Sequence, residues 1–250
     1  MAIGESMIAG KSPETWYWSH DIESDQIDSI VVPGMNLMRL SSYGTGSHRR
    51  FAALIFKDSG LDHSYTLDLD AAAIEVLPRE TGARPATITV DISGSQRRFS
   101  LVLQKEPGPL SSVHLDLDEV TVRKFLDGHH GISDFVTYVA DGVRKYAVIL
   151  EERSGSSWFL TGLTAHELDT RLAELGASLL RVRAYVEDGQ QRFAAIAEQP
   201  GAGKWAWYAG LDADAVASKL DANNAYPFDL DATRDERGVR FTVVMYRNKP

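Results

Sequence analysis

The sequence predicts an α+β fold of five tandem strand–helix–strand–strand repeats of about 47–48 residues, arranged as a pseudo-fivefold, propeller-like ring or toroid. The first observation is a basic–aromatic pair whose aromatic members are spaced by 48, 47, 47 and 48 residues. The second is a glycine or asparagine that precedes most of these aromatic residues by 17 positions. The pairs are Arg50-Phe51, Arg98-Phe99, Lys145-Tyr146, Arg192-Phe193 and Arg240-Phe241.

Each unit begins with a strand rich in aromatic residues. These strands are "TWYWSH", "HSYTLDL", "SVHLDL", "SWFLTGL" and "WAWYAGL". β-branched and aromatic residues favour such a strand. Each strand ends at an aliphatic residue about 30 positions before the aromatic member of the pair, namely Ile22, Leu69, Leu117, Leu163 or Leu211.

A helix follows the first strand. Its N-caps are Asp70, Asp118, Thr164 and Asp212, and Thr164 with Glu167 forms a capping box. Glycine and asparagine tolerate the left-handed conformation that ends a helix, so we expect the helices to stop at Gly34, Gly82, Gly176 and Asn224, and near Gly131 in the third unit. Pro33 makes the first helix the weakest, and Pro78 is expected to shorten or kink the second.

Two further strands complete each unit. Glycines at Gly46, Gly94, Gly142, Gly189 and Gly238 predict a hairpin turn between them. The last strand starts with the basic–aromatic pair and then turns apolar on both faces, as a strand buried on both sides does. A small residue follows each aromatic residue, which allows close approach by a helix or by strands that converge on an axis.

We predict one domain over residues 1–250, with units at approximately 14–59, 60–107, 108–153, 154–200 and 201–250. One unit cannot bury its own apolar face, whereas stacked neighbours can. Neither end carries an evident polar capping repeat, which favours a closed ring in which unit five meets unit one. An open arc is the alternative.

Composition excludes several classes of protein. Hydrophobic residues make up 44% of the 250 residues, so a sizeable core is expected, and no apolar run is long enough for a membrane span. Cysteine is absent, which excludes disulfides, thiolate metal sites and cysteine nucleophiles. The net charge of −9, with Lys and Arg spread along the chain, argues against nucleic acid. The N-terminal "MAIGESMIAG" lacks signal-peptide character, so a cytoplasmic location is the default expectation.

The fourth and fifth units, "WFLTGLTAHELDTRLAELGASLLRVRAYVEDGQQRFAAIAEQ" and "WAWYAGLDADAVASKLDANNAYPFDLDATRDERGVRFTVVMYRN", resemble bacterial tandem-repeat domains. Arrays of such domains stand ahead of the serine hydrolase domain in polyglycine hydrolases and related secreted proteins. The resemblance covers essentially the whole chain, with units one and four matching best and unit two, "RPATITVDISG", least. It implies an arc or toroid and allows secretion. The array fills these 250 residues, so the hydrolase activity is not carried over.

No cofactor and no metal are expected. The sequence contains none of the G-x-S-x-G, S-x-x-K, H-E-x-x-H or G-x-G-x-x-G signatures. His129-His130 is the one histidine cluster, and adjacent residues at a helix end point apart and make a poor metal pair. The repeated "LDLDA", "LDLDE" and "LDADA" put carboxylates at helix starts, where capping explains them more simply than calcium binding.

Two sets of repeated residues are candidate binding groups. The basic set would form a circle of cations in a ring, or would pair with carboxylates of neighbouring units; it consists of Arg50, Arg98, Lys145, Arg192 and Arg240. The tryptophan set would stack on sugars or a partner if exposed, or form the core between units if buried; it consists of Trp16, Trp18, Trp158, Trp205 and Trp207.

The favoured hypothesis is a monomeric, non-catalytic binding module for a glycan, peptide or protein. One alternative is an enzyme with a single site at the ring axis, like penteins but without their cysteine. Another is a structural or assembly protein. An enzyme needs one cluster where the repeats differ, and unit five differs at "DLDATRDERG", which we interpret as ordinary charge in a turn.

Overall fold

A computed structural model describes residues 12–57, 63–105, 108–126, 128–153, 155–199 and 204–247. The segment 1–10, on which the signal-peptide expectation rests, lies outside the described residues. Among the helices of the described residues, none is long and apolar enough to cross a membrane.

Each unit contains three strands and one α-helix, in the predicted order. The first strands are β1 (Trp16–Ile22), β4 (His63–Leu69), β7 (Ser111–Leu117), β10 (Ser156–Leu163) and β13 (Trp205–Leu211). The helices are α1 (Ile27–Ile30), α2 (Ala71–Thr81), α3 (Glu119–Lys124), α4 (Ala165–Leu175) and α5 (Ala213–Asn223). The second strands are β2 (Asn36–Tyr43), β5 (Arg84–Ser93), β8 (His130–Ala140), β11 (Ser178–Glu187) and β14 (Ala225–Asp235). The third strands are β3 (Arg50–Phe56), β6 (Gln96–Gln104), β9 (Val143–Glu152), β12 (Gln190–Gln199) and β15 (Gly238–Arg247).

The strands of each unit form a separate three-stranded antiparallel sheet with the third strand in the middle, in the order first–third–second. The third strand is also contacted by the helix of its own unit, as in α2 with β6 and α5 with β15, and by the second strand of a neighbouring unit, as in β14 with β3 and β11 with β15. This packing against other elements explains its continuous apolar character. Residues 51–56 are all buried, as are the small residues Ala52, Ala147 and Ala194 that follow the aromatic member of the pair.

The predicted α+β class overestimates the share of helix, because most of the described chain lies in sheets. Helix α1 has 4 residues and α3 has 6, whereas the second strands have 8 to 11. Only α2, α4 and α5 reach 11 residues, or about three turns. The packing of the five sheets therefore determines most of the secondary structure, and the helices are short additions to it.

Helix boundaries follow the predicted caps in three units. The side chains of Asp70, Thr164 and Asp212 accept hydrogen bonds from the third residue of their helices, and the capping box of Thr164 with Glu167 is formed. Gly82, Gly176 and Asn224 end their helices in the left-handed conformation. The first helix is short, as predicted.

The predicted helix stops are wrong in units one and three, and so is the predicted shortening of α2 by Pro78. Gly131 lies within β8, and Gly128 takes the positive φ instead. Gly34 has a positive φ but follows α1 only after a gap of three residues. Helix α2 continues through Pro78 to Thr81, so it is not shortened.

Every first strand carries a bulge that the sequence analysis did not anticipate. The register with the third strand shifts just before the aliphatic residue that ends the strand, and this residue then pairs with the aromatic member of the basic–aromatic pair. Ile22 faces Phe51 and Leu211 faces Phe241 in this way. The residue before it has a positive φ in all five units: Asp21, Asp68, Asp116, Gly162 and Gly210.

Neighbouring units contact each other through their second strands. Strand β2 contacts β5, β5 contacts β8, β8 contacts β11, β11 contacts β14, and β14 contacts β2. Aromatic rings also pack across the boundaries, and Trp18 of unit one lies edge-on to Phe241 of unit five with 5.4 Å between ring centroids. Units one and five therefore touch both at the second strands and at the first strand.

Candidate binding site between the second strands

The second strands of the five units carry two sets of side chains, all polar except Val136, that define the candidate site. The deep layer consists of the residues 12 positions before the aromatic member of each pair, namely Arg39, Thr87, Asp134, Arg181 and Asp229. The upper layer consists of the residues 10 positions before it, namely Ser41, Thr89, Val136, Arg183 and Asp231. All the buried charged side chains of the described residues belong to these two layers.

A β-bulge in each second strand precedes the deep layer. The register of β2 against β3 shifts between Leu37 and Arg39, and that of β14 against β15 shifts between Pro227 and Asp229. The other three second strands shift at the equivalent positions. A bulge turns the side chains that follow it, and strand alternation then puts the deep-layer and upper-layer residues of a unit on one face.

These side chains satisfy the backbone of the neighbouring strand. Each second strand is an edge of its sheet, so half of its N–H and C=O groups have no partner within the sheet. The carboxylate of Asp134 accepts from the N–H of Ile88 at 2.9 Å, and that of Asp229 accepts from the N–H of Val182 at 3.0 Å. The hydroxyl of Thr89 accepts from the N–H of Ser42 at 3.0 Å.

The same pattern joins the last unit to its neighbours. The carboxylate of Asp231 accepts from the N–H of Ala184 in unit four at 3.0 Å. The hydroxyl of Ser41 in unit one accepts from the N–H of Ala232 in unit five at 3.0 Å. An upper-layer side chain of one unit therefore accepts a backbone N–H from the second strand of the preceding unit. Unit one makes the same contact with unit five.

Arg183 is the centre of the charged cluster. Its guanidinium donates to the carboxylate of Asp134 at 2.6 Å and to that of Asp229 at 2.7 Å, and its Nε donates to the carbonyl oxygen of Phe135 at 3.0 Å. Burial alone would lower the pKa of Arg183, but the carboxylates of Asp229, Asp134 and Asp231 outweigh it and raise the pKa. The side chain therefore reaches from the upper layer into the deep layer and stays charged.

The deep layer contains charged atoms that are close but not hydrogen-bonded. Oδ1 of Asp229 lies 3.9 Å from Nε of Arg181 and 4.0 Å from Nε of Arg39. Nε of Arg181 lies 3.6 Å from Oδ1 of Asp134. Neither Asp229 Oδ1 nor Arg181 Nε has a hydrogen-bond partner among the described residues, although both side chains are buried.

A pocket of about 130 Å³ lies over the upper layer. All five upper-layer residues line it, together with the residue that follows each of them along the strand. Every unit therefore contributes to its wall, through Ser42, Val90, Thr137, Ala184 and Ala232 in addition to the upper layer. The deep-layer residues are not among the lining residues, so the pocket stops at the upper layer.

Asp231 is the carboxylate that the pocket presents. It is 9% exposed, whereas Asp134 and Asp229 are 0% exposed. Its Oδ1 accepts from the hydroxyl of Ser41 at 3.3 Å, and the ion pairs of the described residues do not include it. Burial raises the pKa of Asp231 to about 6, against the lowering effect of Arg183 and of the N–H of Ala184.

The predicted basic residues lie elsewhere, at the starts of the third strands. Arg50 forms an ion pair with Glu23 of its own unit at 2.7 Å, and Arg192 pairs with Glu167 of its own unit at 3.5 Å. Arg240 donates to the carbonyl oxygen of Arg237. Arg98 and Lys145 occupy the equivalent positions of β6 and β9, and none of the five lines the pocket.

Two of the ion pairs between units use the residue that precedes the predicted basic residue. Arg49 in unit one pairs with Asp68 in unit two, and Arg97 in unit two pairs with Asp116 in unit three. Both carboxylates belong to the bulge residues of the first strands. The expected pairing with a neighbouring unit therefore occurs one residue before the predicted set.

The predicted tryptophans are half-buried and pack against the core. Trp207 lies edge-on to Phe193 with 5.2 Å between centroids, which is the contact of unit five with unit four. Trp18 makes the equivalent contact with Phe241. In unit four the equivalent residue is Phe159 rather than Trp158, and it packs edge-on to Tyr146 at 5.0 Å. The other three predicted tryptophans also pack against the largest cluster of buried hydrophobic residues, namely Trp16, Trp158 and Trp205.

Trp205 also borders a second, more open pocket of about 480 Å³ on unit five. Its other lining residues include Lys204, Asn223 and Arg247. This pocket belongs to one unit and contains none of the buried charges, so the site between the second strands is the stronger candidate.

The histidine pair is not at a helix end, because α3 stops at Lys124 and His130 is the first residue of β8. Among the described residues, no group of three or more His, Asp or Glu side chains is arranged to hold a metal ion. The carboxylates at the helix starts act as caps, as expected, at Asp70, Asp118 and Asp212.

Sequence reasoning missed both polar layers. The signal was present in "LLRVRAY" and "FDLDA", where charged residues alternate with apolar ones at the spacing of a strand, at fixed distances from the aromatic member of the pair. The interpretation of "DLDATRDERG" as charge in a turn is wrong for its first half. Asp229 and Asp231 lie buried within β14, and only Glu236 and Arg237 form the turn.

Comparison with known proteins adds no family to these observations. A scan against protein-family models finds no match, and a search of curated proteins finds none either.

Proposed function

We propose that this protein is a non-catalytic binding module whose five units close into a ring, and that it holds a small polar ligand or ligand group in the pocket over the upper layer. The single observation that carries the proposal is the composition of this pocket. Its wall contains a residue pair from every unit, and these pairs differ from unit to unit. A surface that only packs repeats together would repeat its residues, as the pairing of aliphatic and aromatic residues in each unit does.

Closure of the ring is supported by three contacts between units five and one. Strand β14 lies against β2, the N–H of Ala232 donates to Ser41, and Trp18 packs on Phe241. Each has a counterpart at another boundary, such as the N–H of Ala184 donating to Asp231. A ring places the pocket on its axis, where one ligand can touch all five units.

The chemistry of the lining favours recognition of hydrogen-bonding groups. The lining beside Asp231 includes four hydroxyl-bearing residues whose side chains are not engaged by Arg144: Ser41, Ser42, Thr89 and Thr233. A few convergent polar groups in a concave site are typical of ligand pockets. The volume, about that of four water molecules at about 30 Å³ each, suits a small ligand or the end of a larger glycan, peptide or protein group.

A second candidate function is an enzyme with Asp231 as general acid or base. The observation in its favour is the pKa of about 6 that burial gives this carboxyl group, because proton transfer is most efficient near the working pH. The binding module is preferred because Arg183, the other charged group of the lining, is already held by Asp134 and Asp229. Turnover of the bound ligand separates the two candidates: an enzyme converts the ligand and loses that conversion in Asp231→Asn, whereas a binding module releases the ligand chemically unchanged.

The test is a ligand-observed NMR screen with small polar metabolites, glycans, peptidoglycan fragments and peptides. Val136→Phe should fill the pocket and abolish binding of any ligand that wild type holds, because Val136 is part of the lining. Val139→Phe is the matched control, since Val139 lies on the same strand, is 49% exposed and is outside the lining. If Val136→Phe fails to fold, Val136→Leu takes its place in the test. It adds less volume to the pocket and should weaken binding rather than abolish it.

A variant with Trp18→Ala distinguishes the pocket from the sequence-predicted tryptophan site. Loss of binding in Val136→Phe and its persistence in a folded Trp18→Ala variant supports the proposal. Binding that persists in Val136→Phe but disappears in Trp18→Ala contradicts it and moves the site to the first strands. Absence of any bound ligand across the panel also counts against the binding module.

A further inference from the structure

We infer that the ligand group in the pocket over the upper layer is a primary ammonium group, paired with the carboxylate of Asp231 and hydrogen-bonded to the surrounding hydroxyls. This inference rests on the proposed function and specifies its ligand chemistry. The ammonium can belong to a free small amine or to the end of a lysine side chain.

The distribution of charge between the layers favours a cation. The buried cluster contains three arginines and three aspartates, so the six charges cancel: Arg39, Arg181, Arg183, Asp134, Asp229 and Asp231. The positive and negative charges are not evenly distributed between the two layers, because the guanidinium of Arg183 reaches down to the deep-layer carboxylates. The deep layer with this guanidinium has a surplus of one positive charge, and Asp231 faces the pocket with the remaining negative charge.

The hydrogen bonds of Asp231 leave room for a further donor. A carboxylate has about four acceptor positions, and the described contacts use two of them, for the N–H of Ala184 and the hydroxyl of Ser41. An ammonium group has three donors, so it can bond to Asp231 and to the hydroxyls of Thr89 or Thr233 in the same lining. An anion would meet Asp231 without a free guanidinium, because Arg183 is already engaged.

The charged groups that act on Asp231 lie on β11 and β14. Arg183 on β11 lowers its pKa, Asp229 on β14 raises it, and the neighbouring Ser41 on β2 is neutral. Burial is the largest influence and brings the pKa to about 6. A cation requires the ionised carboxylate, so its affinity should fall about tenfold from about pH 7.5 to about pH 5, while a primary ammonium keeps its charge over that range.

The experiment is a titration of ¹⁵N-labelled protein with ethanolamine, with ethylene glycol as the neutral probe with the same number of heavy atoms. The amide signals of Ala184 and Ala232 report on the site, because their N–H groups donate to Asp231 and Ser41. Ethanolamine should shift both signals saturably and bind at least tenfold more tightly than ethylene glycol. Asp231→Asn should remove most of this preference, and Val139→Phe should leave it unchanged.

The source of the ammonium group is identified by a parallel titration with Nα-acetyl-lysine amide. Tighter binding of ethanolamine indicates a free small amine, tighter binding of the lysine derivative indicates a side chain of a partner, and both outcomes support the inference. Equal binding of ethanolamine and ethylene glycol overturns it, as does ethanolamine affinity that is unaffected by pH in wild type. If both probes fail while the screen yields another ligand that Val136→Phe excludes, the ammonium inference is wrong and the binding module stands.

Discussion

At the residue scale, Arg183 connects the two polar layers and holds two carboxylates that are both fully buried. Isolated charges are costly to bury, and a buried pair is tolerated only when its hydrogen bonds are made. Asp134 and Asp229 also accept backbone N–H groups from the neighbouring unit, so each carboxylate serves both the cluster and the strand edge.

Arg183→Met should destabilise the protein by about 3–5 kcal/mol, because it leaves two buried carboxylates without their strongest donor. Arg171→Met is the matched control, since Arg171 pairs with Glu174 on the exposed face of α4 and should change stability by about 0.5 kcal/mol or less. Urea unfolding at neutral pH measures both free energies. A difference of less than about 1 kcal/mol between the variants would show that the cluster is not needed for stability.

Asp231→Asn should change the pH dependence of stability. The carboxyl has a pKa of about 6 in the folded protein and 3.8 as a reference, so between these values the folded state retains a proton that the unfolded state releases. Stability from this group is therefore lost as the pH rises from about 4 to above 6. Wild type should lose about 2 kcal/mol relative to the variant between about pH 4 and about pH 7.5. Parallel urea curves at the two pH values check this, and a constant difference between the proteins contradicts it.

At the element scale, the helices depend on their caps and the second strands depend on their neighbours. The predicted stops worked where a full helix of 11 residues reached them, at Gly82, Gly176 and Asn224. They failed in units one and three, where the helices have 4 and 6 residues. A short helix is held by packing, so its end is placed by the surrounding sheet rather than by a local residue.

Gly176→Ala should cost about 1 kcal/mol, because Gly176 has φ of 58° and a side chain is strained in this conformation. The destabilisation would come from backbone strain rather than from a steric clash, since an added Cβ would meet only the side-chain amide of Gln199 at 3.5 Å. Gly176→Asn should cost less, because Asn224 already fills the same role in unit five. Thermal unfolding of both variants measures the order, and equal losses would contradict the role of the left-handed conformation.

At the scale of the whole molecule, the first and last units contact each other through β14 and β2 and through Trp18 and Phe241. Edge strands are normally a risk for association between chains, and here each second strand lies against the next one. If the units form a ring, the boundary between units five and one should be as strong as the others. Trp18 and Trp207 allow a direct comparison, because they make equivalent contacts at two different boundaries.

Trp18→Ala and Trp207→Ala should each cost about 2–4 kcal/mol in a closed ring, since each removes a large ring that packs between units. In an open arc Trp207→Ala would keep this cost, whereas Trp18→Ala would cost much less because its partner would be absent. Chemical denaturation of the two variants beside wild type measures the difference. A cost for Trp18→Ala below about 1 kcal/mol would contradict closure.

The sequence by itself determined the number of units, the order of their elements and the burial of the third strand on both faces. These properties depend on local patterns: the spacing of the basic–aromatic pairs, the caps at Asp70 and Thr164, and an apolar run too continuous for an exposed strand. It also indicated the packing of Trp18 and Trp207, though only as one of two alternatives.

Only the tertiary structure decided where the candidate site lies. Arg183 and Asp134 are 49 residues apart in the chain and 2.6 Å apart in space, because the second strands of different units come together. A charged residue in an alternating strand is normally assigned to the solvent side, and burial is affordable here because neighbouring units supply the partners. Such partners are long-range contacts, so no local pattern could identify them, and the sequence alone predicted the tryptophans and the basic residues instead.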